Sequence, residues 1–127
     1  MTAEELLKDI TLLYVEDEDV ARMAIGGFLK RKVGMLHMAE NGQEGLDLFL
    51  ANHPTVVVTD LEMPIMNGIE MIKQIRQMNN GTPIIITTAY DDEAHRCEMA
   101  DCIIIKPVIF SELLATIVSC VESKKRA

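Results

Sequence analysis

The sequence predicts an α/β domain built on a doubly wound parallel sheet. Five short apolar runs alternate with segments whose apolar residues repeat at helical spacing. The runs are rich in Val, Ile, Leu and Met and show little polar alternation, which is typical of strands covered on both faces. A βα unit repeated five times favours one α/β domain, and a chain of 127 residues has the length of one domain.

The composition excludes several functions. The 12 basic and 20 acidic residues give a net charge of −8, which argues against unaided binding to nucleic acid or to an anionic membrane. No apolar run approaches the ~20 residues of a membrane-spanning helix, and no secretory signal is visible. Without an export signal, we expect Cys97, Cys102 and Cys120 to be free thiols in a reducing cytoplasm.

Five strands and at least four helices are predicted in order. The predicted strands are Ile10–Val15, Met35–Ala39, Thr55–Thr59, Ile84–Thr88 and Cys102–Ile105. The predicted helical stripes, in chain order, are Val20, Ala24 and Phe28; Leu46, Phe49 and Leu50; Ile69, Ile72 and Ile75; and Leu113, Leu114, Ile117, Val118 and Val121.

Three further segments complete the order of elements. Tyr90–Ala100 should be a helix between the fourth and fifth strands, but it is short and weakly patterned. Ser111 precedes the last stripe at a suitable N-cap position, with Glu112 at the favourable end of the helix dipole. Thr2–Lys8 is expected to form an extra helical turn before the first strand.

Acidic residues follow two of the strands. Glu16 and Asp17 come directly after the first strand, and Asp60 comes directly after the third. Acids near a helix N-terminus also complement its dipole, and a single carboxylate can simply cap a turn. If the two strands are neighbours, however, the carboxylates converge and raise one another's pKa unless a cation neutralises them. Carboxylates in an open, hydrated site suit Mg²⁺.

Thr88 and Lys106 end the fourth and fifth strands. Threonine is a good strand residue, but a hydroxyl at a strand tip can also donate to a bound anion. A lysine after an apolar strand needs a partner, which the carboxylate cluster supplies. Acids, a hydroxyl, a lysine and a metal together suit a phosphoryl group carried on an aspartate.

With these motifs the chain resembles a response-regulator receiver domain of two-component signalling. The matching residues are Glu16–Asp17, the run Asp60-Leu-Glu-Met-Pro-Ile-Met-Asn-Gly68, Thr88–Ala89 and Lys106–Pro107. The resemblance covers a core of about residues 10–121, and we expect residues 1–127 to form one receiver domain. It implies a flavodoxin-like sheet with strand order 2-1-3-4-5.

The resemblance implies a role for each matching residue. Asp60 is expected to be the phospho-acceptor. Asp17 is expected to bind Mg²⁺, Glu16 to help directly or through water, and the backbone carbonyl of Glu62 to complete the protein ligands.

The remaining matching residues are expected to act on the phosphoryl group. Lys106 is expected to pair with the phosphate, and the Thr88 hydroxyl to turn toward the phosphoryl oxygen. The Lys106–Pro107 peptide resembles the cis peptide of the family, and Gly68 is expected to let its loop close around the site.

Two departures from the family concern the output surface. Lys106 follows Thr88 by 18 positions, about four fewer than is usual, which is close to one helical turn. The shortening is expected in the fourth of the five βα helices. Ile103 stands where the family usually has an aromatic residue, so we expect a remodelled output surface that does not use an aromatic switch.

Two residues flank the expected phosphate without a fixed family identity. Our hypothesis is that Tyr90, two positions after Thr88, shields the acyl phosphate from water. Glu62, two positions after Asp60, is expected to repel or orient that water. The alternative is that both are solvated residues at the rim of the site.

The expected partners are a sensor histidine kinase or histidine phosphotransfer protein and a downstream effector domain or protein. Phosphorylation-dependent dimerisation and membership of a longer regulator or hybrid kinase stay open. The receiver is not expected to be a metabolic enzyme.

Two other classes are weighed. A haloacid-dehalogenase-type phosphatase needs a second acid two residues after its nucleophile, where Glu62 stands instead of the usual Asp. A flavodoxin-like cofactor carrier needs a phosphate-binding loop after the first strand, where the acidic run Glu16–Asp19 repels phosphate instead.

Overall fold

The computed structural model describes residues 1–79, 81–90 and 98–126. The strands are β1 (Thr11–Val15), β2 (Met35–Ala39), β3 (Val56–Asp60), β4 (Ile84–Thr88) and β5 (Cys102–Ile105). The helices in the described parts are α1 (Ala3–Lys8), α2 (Asp19–Lys30), α3 (Gly42–Asn52), α4 (Gly68–Met78) and α5 (Phe110–Arg126).

The five strands form one parallel sheet in the order β2-β1-β3-β4-β5. The expected fold class and strand order are therefore confirmed. Three strands have the predicted limits, and β1 and β3 begin one residue later than predicted. The agreement follows from the composition of the runs, since aliphatic stretches of four to six residues between helices leave few alternative pairings.

The inner strands β1, β3 and β4 are covered on both faces, as predicted, whereas the edge strands β2 and β5 are partly exposed. Alternation along the strands turns Tyr14 and Val58 toward α1, α2 and α5. It turns Val15 and Val57 toward α3 and α4, where Phe49 is one of the helix residues that pack against the sheet. The two sides form separate hydrophobic clusters, and the carboxyl ends of the strands are left for polar residues.

The predicted stripe of α2 is wrong for Val20 and Ala24, whereas Phe28 packs against the core as predicted. Val20 is 75% exposed and Ala24 is also exposed, whereas Ile25 and Leu29 are buried against the sheet. Apolar residues lie around most of this helix, so spacing alone does not decide which face packs. The longer side chains of Ile25 and Leu29 fill the space above β1, and the buried face lies one residue further along the chain than predicted.

Two smaller expectations are also corrected. Leu50 is 47% exposed, because α3 packs through Leu46 and Phe49. Ser111 is not the N-cap of α5, because the helix already begins at Phe110. The Phe110 ring stacks on Phe28 with 4.3 Å between ring centroids.

The expected turn at the N-terminus is present as α1, which begins at the N-cap Thr2 and buries Leu6 and Leu7. The expected helix at Tyr90–Ala100 falls mostly on residues 91–97, which lie outside the described residues. No helix within the described ranges is long and apolar enough to cross a membrane.

Two isoleucines that pair across β4 and β5 allow a matched test of the core. Ile86 is fully buried, and its partner Ile103 on the edge strand is 36% exposed. We expect Ile86→Ala to lower the free energy of unfolding by about 2–5 kcal/mol, because it leaves a cavity. Ile103→Ala should cost no more than about 1 kcal/mol. Urea unfolding measures both, and equal losses would contradict this assignment of the core.

Candidate functional site

The site lies at the carboxyl ends of β1, β3 and β5. In the register of the sheet, Val15 pairs with Thr59, so the next residues, Glu16 and Asp60, lie side by side. Lys106 directly follows the last residue of β5. Parallel pairing alone therefore brings together three charged side chains that are 44 to 90 positions apart in the sequence.

Lys106 connects the two buried carboxylates. Its Nζ lies 3.3 Å from Oε1 of Glu16 and 3.2 Å from Oδ2 of Asp60. Glu16 is 1% exposed and Asp60 is 8% exposed. One ammonium thus serves two carboxylates that have little contact with bulk water.

The single positive charge between two buried negative charges affects the pKa values of the groups in the site. Burial and the neighbouring charge of Asp60 raise the pKa of Glu16 to about 7, although Lys106 acts in the opposite direction. Burial alone would lower the pKa of Lys106, but the negative charges of Asp60 and Glu16 outweigh it and raise that pKa above its ordinary value. The lysine stays protonated, and the cluster retains an excess of negative charge.

Backbone groups hold the two carboxylates in place. Oδ1 of Asp60 accepts a hydrogen bond from the Leu61 amide at 2.8 Å. Oε2 of Glu16 accepts a long one from the Glu18 amide at 3.4 Å. The Arg22 guanidinium donates to the Glu16 carbonyl at 2.9 Å. With these bonds in place, the open side of the cluster faces outward at the carboxyl ends of the strands.

The acidic cluster has the donor set for a hard divalent cation. Ligand oxygens of Glu16, Asp17 and Asp60 lie within 4.8 Å of one another. Mg²⁺ binds oxygen at ~2.0–2.1 Å, so ligands on opposite sides of the ion are separated by about 4.2 Å. Small side-chain rotations are enough to close this difference. Asp17 is exposed, which leaves room for the waters that Mg²⁺ retains.

The other predicted site residues lie around this cluster and differ in their burial. Thr88 is buried at the end of β4, where its hydroxyl accepts from the Tyr90 amide at 3.2 Å and its carbonyl accepts from the Lys106 amide at 2.7 Å. Glu62 and Tyr90 are exposed. The Lys106–Pro107 peptide is cis.

The loop after Asp60 docks against the site through two glycines. A Cβ on Gly68 would lie 2.2 Å from the Asp60 carbonyl oxygen, and the Gly68 amide donates to the Leu61 carbonyl at 2.7 Å. The Gly42 amide at the start of α3 donates to the Met66 carbonyl at 2.8 Å. Gly68 therefore allows two backbone segments to approach each other closely. Its φ is not positive, so the glycine is not required for a left-handed backbone conformation.

Ile65 lies in the same loop and has a left-handed backbone, with φ of 68°. A β-branched residue in that region is strained by about 1–3 kcal/mol. The side chain is 83% exposed, so packing does not offset the strain. The loop is held instead by the hydrogen bonds of Gly42 and Gly68 on either side.

Sequence reasoning missed two residues of this region. Arg22 lies under the end of β1 and pairs with Asp19 and Glu40 as well as with the Glu16 carbonyl. Tyr14, two residues before Glu16 on β1, has a buried hydroxyl. The alternation of β1 places Tyr14 on the same face as Glu16, which is the one signal that connects it with the site.

Comparison with known proteins agrees with the fold. The response regulator receiver domain family matches residues 12–118. The chain is 38% identical over 107 residues to the regulatory protein AtoC of Escherichia coli, covering 80% of this chain and 23% of AtoC. It is 37% identical over 100 residues to the transcriptional regulatory protein SrrA of Staphylococcus aureus, covering 76% of this chain and 41% of SrrA.

A solved response regulator receiver domain protein from Clostridium thermocellum superposes with a TM-score of 0.83 at 26% identity, covering 91% of this chain and 96% of that one. The chain therefore belongs to the response regulator receiver domain family, as its motifs indicate. It spans less than half the length of the two curated relatives.

The close approach at Gly68 gives a testable consequence for the site. We expect Gly68→Ala to lower the free energy of unfolding by about 1–3 kcal/mol, because the methyl group collides with the Asp60 carbonyl and overpacks the loop. Urea unfolding measures the loss.

Gly27 in α2 is the matched control, since a Cβ there meets no atom within 4 Å. Gly27→Ala should raise stability by ~0.5–1 kcal/mol, because alanine is the better helix former. A Gly68→Ala protein as stable as the wild type would contradict the packing described for the loop.

Proposed function

We propose that this chain is a phospho-accepting receiver in which Asp60 takes a phosphoryl group from a phosphohistidine in a Mg²⁺-dependent reaction. The observation that carries the proposal is the position of Lys106, whose ammonium lies 3.2 Å from Oδ2 of Asp60 at the open edge of the sheet. The acidic cluster and the family support the same reaction.

The reaction is a direct transfer between a histidine nitrogen and the Asp60 carboxylate. A carboxylate oxygen of Asp60 forms a bond to phosphorus as the bond between phosphorus and nitrogen breaks. The imidazole leaves with the bonding electron pair and takes up a proton. Most of the rate enhancement in such transfers comes from positioning and charge stabilisation. The Leu61 amide orients Asp60 through Oδ1, and the Lys106 ammonium faces the phosphoryl oxygens.

Asp17, Asp60 and the backbone carbonyl of Glu62 are the proposed protein ligands of Mg²⁺, with Glu16 contacting it directly or through water. The ion, when bound, neutralises negative charge on the transferring phosphoryl oxygens. Glu16 and Asp60 already share one ammonium, so the carboxylates tolerate their proximity before a phosphoryl group arrives.

Thr88 connects the site to the edge strand β5. Its carbonyl accepts from the Lys106 amide, so β4 and β5 move together at this end. The proposed response is that the Thr88 hydroxyl leaves the Tyr90 amide and donates to a phosphoryl oxygen. Ile103, 36% exposed on β5, has no ring to exchange between environments, so the proposed output signal uses another face of the domain or a backbone displacement.

The proposed donor is a sensor histidine kinase or a histidine phosphotransfer protein, and the proposed recipient of the signal is an effector domain or protein. The curated relatives carry names of regulatory proteins and are longer than this chain. A cytoplasmic location suits this role, and phosphorylation-dependent dimerisation is one way in which the output can be built.

Incubation with acetyl phosphate and Mg²⁺ tests the proposal. We expect one adduct of ~80 Da on the intact protein, formed at least tenfold more slowly when Mg²⁺ is removed with a chelator. Asp60→Asn should abolish the adduct, because the amide is not a nucleophile. Intact-protein mass spectrometry measures both.

Asp47 provides the control for nonspecific acylation, since it is a carboxylate of α3 remote from the site. Asp47→Asn should leave the adduct unchanged. An adduct that survives Asp60→Asn, or phosphate release that continues through many turnovers as in a phosphatase, would overturn the assignment.

The lifetime of the acyl phosphate tests the hypothesis on Tyr90. We expect Tyr90→Ala to shorten the half-life of the phosphorylated protein several-fold, because the side chain, 46% exposed at the end of β4, shields the phosphoryl group from water. Phosphate release after removal of the donor measures the half-life. An unchanged half-life would show that Tyr90 is only a rim residue.

A further inference from the structure

The Tyr14 hydroxyl is a buried donor with no acceptor. Tyr14 is 1% exposed, and its oxygen is the one buried side-chain polar atom without a hydrogen-bond partner in the parts of the chain that the structure describes. A buried polar group left unpaired is destabilising by about 1–3 kcal/mol. A phenylalanine would fill the same space without that loss, so the hydroxyl calls for an explanation.

Strand alternation places Tyr14 on the face of the sheet that also carries Glu16 and Asp60. Tyr14 pairs with Val58, and two residues further along each strand, on the same face, are Glu16 and Asp60. Burial and the charges of Glu16 and Asp60 raise the pKa of Tyr14 far above its ordinary value, so the phenol keeps its proton. It is available only as a hydrogen-bond donor toward negative groups.

The donors of Glu16 are limited in the resting protein. Among the residues that the structure describes, Oε1 accepts from Lys106, which is shared with Asp60, and Oε2 accepts a long bond of 3.4 Å from the Glu18 amide. A phosphoryl group on Asp60 adds negative charge and acceptor oxygens, and it draws the Lys106 ammonium toward itself. Glu16, 1% exposed, then keeps the long bond from the Glu18 amide and its direct or water-mediated contact with the proposed Mg²⁺, and the oxygen that had accepted from Lys106 becomes available to another donor.

We propose that Tyr14 is a positioning residue whose hydroxyl donates to the Glu16 carboxylate in the phosphorylated state and replaces Lys106 there. This inference rests on the proposed function. The hydroxyl is thus unpaired in the resting protein and forms its hydrogen bond when Asp60 carries a phosphoryl group. That hydrogen bond stabilises the phosphorylated state selectively.

Tyr14→Phe removes the hydroxyl and little else. Two quantities are measured for wild type and variant: the urea midpoint of the free protein, and the apparent affinity for beryllofluoride, an analogue of the phosphoryl group, in saturating Mg²⁺. We expect the free variant to be at least as stable as the wild type, because an unpaired group is lost. Its beryllofluoride affinity should fall ~10-fold or more, the effect of losing a hydrogen bond to a charged acceptor.

Thr82→Val is the matched control. Thr82 is 5% exposed and lies just before β4, at the opposite edge of the sheet from the site. Its loss of a buried hydroxyl should leave beryllofluoride affinity unchanged.

Beryllofluoride affinity of Tyr14→Phe equal to that of the wild type would overturn the proposal. A free variant that is less stable than the wild type would also overturn it, because the hydroxyl would then already have a partner, such as a buried water. Failure of the proposed function looks different, since the wild type would then bind no beryllofluoride or Asp60→Asn would bind it equally well.

Discussion

The arrangement of this protein depends on one shared ammonium. Lys106 lies between Glu16 and Asp60, and these two carboxylates would repel each other strongly at such burial without it. Because one positive charge serves two negative ones, the cluster is neutralised incompletely and favours an added cation.

The rest of the domain holds these charges at a fixed spacing. The parallel register sets Glu16 beside Asp60, and apolar layers on both sheet faces prevent the strands from sliding. Close backbone contact at Gly68 holds the loop that follows Asp60. The hydrogen bond between the Lys106 amide and the Thr88 carbonyl joins the ends of β4 and β5 beside the cluster. The same few strand ends therefore position all of the candidate site residues on these two strands.

The strands could be predicted closely, and the face of one helix could not. Uninterrupted aliphatic runs have one stable environment, the interior of a covered sheet, so their limits were found within one residue. In α2, apolar side chains occur on several faces, and Val20 was predicted to be buried although it is exposed. Ser111 has the chemistry of an N-cap, yet α5 begins at Phe110, whose ring stacks on Phe28. Such choices depend on neighbours that are distant in sequence.

The sequence by itself determined the fold class, the strand order through the family resemblance, and the identity of the charged residues at the strand ends. These properties are local, since they follow from composition, spacing and short motifs. Only the tertiary structure decided that Lys106 contacts both carboxylates and that the Tyr14 hydroxyl is buried without a partner among the described residues. Distances and hydrogen-bond satisfaction arise between strands, and they exist only once the sheet has placed residues tens of positions apart beside one another.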